Sequence, residues 1–96
     1  MTTLQDIKTI LKTHKENLSK KYGFDAIAVF GSYSREQQSE ASDVDILVEF
    51  SQPIGIEFID LAEELEKVLN KRVDLVSKRG IKPAYFKQIE RELSYV

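Results

Sequence analysis

Residues 31–50 read GSYSREQQSEASDVDILVEF, and this stretch decides the fold. Its closing part, Asp43-Val44-Asp45-Ile46-Leu47-Val48-Glu49-Phe50, alternates with a period of two. Val44, Ile46, Val48 and Phe50 fall on one face; Asp43, Asp45, Leu47 and Glu49 fall on the other, which is the pattern of a β-strand. Its opening pair, Gly31-Ser32, follows the apolar run DAIAVF at residues 25–30, which reads as a short buried strand. Gly31 stops that strand, Ser32 begins a helical turn through about Gln37, and residues 38–42 form a polar loop.

Upstream, Leu4, Ile7, Leu11, His14, Leu18 and Tyr22 share one helical stripe, and Gly23 ends the helix. Downstream, Ser51-Gln52-Pro53 breaks the strand, and residues 56–70 carry Phe58, Leu61, Ala62, Leu65, Val68 and Leu69 on a core-facing helical side. RVDLVS at residues 72–77 reads as a third strand. Gly80 and Pro83 then introduce a last helix through about Leu93, with the proline in the first turn, where its missing N–H costs nothing. The expected order is α-β-α-β-α-β-α, a single α/β domain over residues 1–96 with helices packed on a three-stranded sheet. Helix-bridged strands favour parallel neighbours, but the short connection from Phe30 to Asp43 leaves a mixed sheet equally open.

With 96 residues and 42% apolar content, the chain can bury one modest core. No apolar run approaches the ~20 residues of a membrane span, and Asp6 and Lys8 interrupt the N-terminus, so it does not read as a secretory signal. There is no cysteine, hence no disulfide framework or cysteine zinc site. These features favour a cytoplasmic protein without a membrane partner. Fourteen basic and sixteen acidic residues give a net charge of -2, which argues against direct nucleic-acid binding. A nucleotide carried with Mg²⁺ remains compatible with that balance.

The same stretch carries the chemistry. Asp43 and Asp45 share a strand face with backbones about 6.7 Å apart. Carboxylates at that spacing can hold one Mg²⁺ jointly, or two ions about 3.5–4 Å apart. Asp74, flanked by Val73 and Leu75 on the opposite face, is the natural third acid. Each acid could alone be a solvated strand residue, but three acids in a class depleted from strands point to a metal site. Gly31 lacks the Cβ that would keep a phosphate from the backbone. Amides at the start of a helical turn favour an anion, and the Ser32 hydroxyl adds a donor. An ordinary turn with Ser32 as N-cap is the plain alternative, and the acids tip the balance against it.

Other residues stay open on sequence grounds. Arg35 can donate to a phosphate or lie solvated, and Tyr33 can stack on a base or simply pack. Lys78, Arg79 and Lys82 suit a solvated loop better than a triphosphate contact, and His14 suits the edge of the core. There is no Ser-His-Asp set, no His/Cys cluster and no Walker-type phosphate loop.

GSYSREQQSEASDVDILVEF resembles the signature of the DNA polymerase β-type nucleotidyltransferase superfamily. The short chain and its closing IKPAYFKQIERELSYV make it similar to the minimal nucleotidyltransferases, antitoxin partners of HEPN-domain toxins. The resemblance implies that Gly31 and Ser32 bind the phosphates of ATP and that Asp43, Asp45 and Asp74 hold Mg²⁺. Asp74 would also activate the attacking hydroxyl. It further implies transfer of AMP from ATP to a tyrosine hydroxyl of a partner HEPN toxin. Where the family continues the turn as Gly-Ser-x-Ala-Arg-Gly, Ser34-Arg35-Glu36 keeps the arginine but sets Glu36 in place of the second glycine, bringing negative charge near the triphosphate. Two alternatives stand beside this: an antitoxin that blocks its toxin by binding alone, docking through Tyr85, Phe86, Ile89, Leu93 and Tyr95, and a transferase acting on a small molecule.

Overall fold

The computed structural model describes residues 2–96. Helix α1 (Leu4–Tyr22) leads into β1 (Phe24–Phe30) and β2 (Val44–Phe50), followed by α2 (Glu57–Leu69) and β3 (Val73–Ser77). The chain closes with α3 (Pro83–Ile89), a 3₁₀ turn (Glu90–Glu92) and a two-residue strand β4 (Ser94–Tyr95).

Local chemistry sets the boundaries. Thr3 and Asp6 form a reciprocal capping box at the start of α1, each side chain accepting from the other's amide. Gly23 ends the helix in the left-handed conformation, its N–H donating to Ser19 O at 2.7 Å. Asn70 ends α2 in the same way.

The strands assemble in the order β3-β2-β1-β4. β1 pairs antiparallel with β2, and β3 lies parallel to β2, with α2 as the crossover. The sheet is therefore mixed, one of the two arrangements the short connection allowed. It has four strands rather than the expected three. The expected long final helix stops at Ile89, and the chain then turns so that Ser94 and Tyr95 pair antiparallel with Val29 and Ala28. Two residues cannot display alternation, so this strand has no periodic signal. Its value is positional, because it covers what would be an exposed edge of β1.

One sheet face carries the main core. Val44, Ile46, Val48 and Phe50 pack there with Ile27 and Val29 against Ile7, Leu11 and Leu18 of α1 and Leu61, Leu65 and Leu69 of α2. Each helix presents one apolar stripe, so burial of these side chains fixes its rotation on the sheet. The opposite face is covered by the C-terminal segment, where Phe30 and Leu47 bury Ile89, with Phe86 and Leu93 alongside. Most of the residues offered for the alternative docking face thus cover the sheet, and of the five only Tyr85 and Tyr95 are exposed.

Candidate active site

β1 ends at Phe30, which pairs across the sheet with Asp45 of β2. Asp45 in turn pairs with Asp74 of β3. Parallel registration of β2 and β3 therefore puts two carboxylates side by side on adjacent strands. Asp43 lies just before β2, exposed, and Asp74 is also exposed, whereas Asp45 is partly buried between them.

Electrostatics report the crowding. Burial, then the charges of Asp74 and Asp43 and a hydrogen bond with Asp74, push Asp45 up to about 6, while Arg35 pulls the other way. Asp74 acts on Asp45 through contact and charge, Asp43 through charge alone. Among the described residues, no three ligand-type side chains already close around one point. The arrangement is an acid pair with a third carboxylate nearby.

Gly31 has φ +76°, and a Cβ placed there would lie 2.0 Å from Asp45 Oδ2. Only glycine lets the turn rest against that carboxylate. Beyond it, residues 32–36 make a single helical turn. Arg35 N donates to Gly31 O, Glu36 N to Tyr33 O and Gln37 N to Ser32 O, at 2.8–3.2 Å. The amides of Ser32, Tyr33 and Ser34 make no backbone hydrogen bond among the described residues. These are the free donors of the turn.

Arg35, open on sequence grounds between a phosphate and solvent, has a partner within the chain. Its Nη1 donates to both carboxylate oxygens of Glu92, at 2.9 Å each. Glu92 Oε1 also accepts Gly31 N–H at 3.0 Å, and Ser34 Oγ donates to the Glu92 carbonyl. Glu92 escaped the sequence reading because it lies sixty-one residues from Gly31, in no recognisable spacing. Tyr85, which the sequence offers only as part of a docking face, is exposed. Burial pushes its hydroxyl up, as do the charges of Asp74, Asp45 and Glu92.

The remaining alternatives separate cleanly. Tyr33 is 1% exposed and belongs to the core, so it packs and offers no face to a base. Lys78 pairs with Glu49 at 3.5 Å and covers the Phe86 ring, and Arg79 lines an apolar cavity of about 600 Å³ with Phe50, Phe58 and Leu75. That cavity includes none of the acids. His14 is partly buried.

A mixed sheet presenting adjacent acids against a glycine-serine turn defines a class, and comparison with known proteins agrees. The sequence pattern of the nucleotidyltransferase domain matches residues 11–96. The protein adenylyltransferase MntA of Thermococcus cleftensis is 47% identical over 97 residues, covering 100% of this chain and 98% of that protein. A solved toxin–antitoxin structure with AMP-PNP is similar at a TM-score of 0.75 and 28% identity, covering 88% of this chain and 70% of that one. A complex of a tri-AMPylated Shewanella oneidensis HEPN toxin with MNT antitoxin is similar at a TM-score of 0.66 and 28% identity, covering 93% and 66%. The chain belongs to the nucleotidyltransferase domain family, among its minimal nucleotidyltransferases. It is an enzyme of nucleotidyl transfer.

Proposed function

We propose that this chain transfers AMP from ATP to a tyrosine hydroxyl of a HEPN-domain toxin and thereby acts as its antitoxin. The observation that carries the reading is the in-register Asp45–Asp74 pair beside Gly31, with the free donors of residues 32–34 next to it. Similarity to a protein adenylyltransferase and to toxin–antitoxin complexes, one with AMP-PNP and one with an AMP-bearing toxin, supports the substrate and the partner.

The donor set fits Mg²⁺. All three groups are carboxylates, the oxygen ligands this ion prefers; burial first and then the charges of Asp74 and Asp43 raise Asp45, and the charge repulsion is the part a cation relieves. Asp43, Asp45 and Asp74 would hold it; bound there, Mg²⁺ supplies charge neutralisation for the phosphates and acidifies the attacking hydroxyl. The Ser32 hydroxyl and neighbouring amides donate to phosphate oxygens. Asp74, the exposed member of the pair, takes the proton of the incoming hydroxyl. The new bond joins that oxygen to the α-phosphorus, and the bond to the bridging oxygen breaks, releasing pyrophosphate.

Incubation with labelled ATP, Mg²⁺ and the partner toxin tests the proposal. Label should appear on the toxin and fall by at least about 10³-fold in Asp43→Ala/Asp45→Ala, as expected when charge stabilisation of the transition state is removed. Undiminished labelling by that variant would refute the assignment.

A further inference from the structure

Glu92 grips the turn that carries the free donors, although nothing in its sequence neighbourhood marks it. We propose that Glu92 is a positioning residue for nucleotide transfer: its carboxylate fixes the turn over residues 31–37 so that the Ser32 donors stand beside Asp45. The kinetic side of this rests on the proposed function; the structural side does not.

The turn cannot hold itself. It has three internal backbone hydrogen bonds and begins at a left-handed glycine, and one helical turn is far below the length that is stable alone. Glu92 supplies the missing restraint: its carboxylate accepts from Gly31 N–H and the Arg35 guanidinium, and its main-chain carbonyl accepts from the Ser34 hydroxyl. Glu92 is in turn fixed from both sides. Ile89 is buried against Phe30 and Leu47, and Ser94 pairs with Val29 of β1. The strand that delivers Gly31 and the segment that delivers Glu92 are therefore neighbours in one sheet.

This gives Arg35 a task within the chain, beside the phosphate contact and the solvated alternative that the sequence left open. Its Nη1 is engaged by both Glu92 oxygens and its Nε by Gln37 Oε1, and charge-assisted hydrogen bonds of the first kind are the stronger ones. Gly31 N–H is likewise satisfied within the chain. The donors left for an anion are those of residues 32–34.

Amide hydrogen exchange and titration with AMP-PNP, on the intact chain, test the assignment. In Glu92→Ala, exchange at Arg35, Glu36 and Gln37 should accelerate about tenfold, the scale of a lost hydrogen bond to a charged group. Amides of α2 should keep their rates, and AMP-PNP should bind about tenfold more weakly. Glu92→Gln should fall between, because its amide oxygen still accepts from Gly31. Leu65→Ala, a destabilised control, should retain wild-type affinity, which separates positioning from general loss of stability. Wild-type exchange in Glu92→Gln and Glu92→Ala, or in Glu92→Gln alone should alanine prevent folding, would overturn the proposal. So would tighter AMP-PNP binding, which would make Glu92 a resident anion competing with phosphate. If the wild-type chain binds no AMP-PNP, the proposed function fails, while the exchange rates still judge Glu92.

Discussion

Asp45 is destabilising in the form in which it would work. Its folded value of about 6 exceeds its ordinary 3.8, so between those values the folded chain keeps a proton that the unfolded chain has released. Stability from this group is therefore full below about pH 4 and lost as pH rises through about 6. Asp45→Asn should be more stable than wild type at pH 7 by of order 1–2 kcal/mol, with the difference vanishing near pH 4. Urea unfolding across that range measures it. Glu36 shows a second tension. Gln37 N to Ser32 O and Glu36 N to Tyr33 O form a Schellman closure, with Glu36 at φ +58°. Its side chain is exposed, and the strain lies in the backbone. Glu36→Gly should raise stability by about 0.5–1 kcal/mol, the left-handed penalty less glycine's entropy. Glu36→Gln should leave the unfolding midpoint unchanged.

Among the elements, the C-terminal segment has a double task, closing the second core and presenting Glu92. Ile89 joins the two, since its side chain is buried with Phe30 and Leu47 one turn before Glu92. Ile89→Ala should cost about 2–4 kcal/mol through the cavity it leaves. It should also raise exchange in residues 31–37 more than in α1. α1, α2 and the first three strands were legible because each spans enough residues to repeat its period against a buried face. β4 was not, being held by pairing with Ala28 and Val29 and by Val96 N–H donating to Ile27 O. Lysine contacts from α1 add to this, Lys8 to Ser94 and Lys15 to the Val96 carbonyl. All of these partners are distant in sequence, so no local pattern announces them.

At the scale of the molecule, one sheet separates two environments: a helix-covered core on one side and, on the other, a smaller core beside the acids. Gly31 and Ser32 were readable as the break after an apolar run, Asp43 and Asp45 by the alternation of one strand, and Asp74 by its apolar flanks in another. Glu92 reaches the turn only through tertiary packing, which spacing does not encode. Registration of β2 with β3 has a further consequence for how such a chain can vary. Side chains alternate along a strand, so adding or deleting one residue between Asn70 and Val73 would swap Val73 and Leu75 for Asp74 on the site-facing side. The length of that short connector is thus under as strict a demand as the identity of the aspartates, and natural indels should be tolerated around residues 51–55 but absent there.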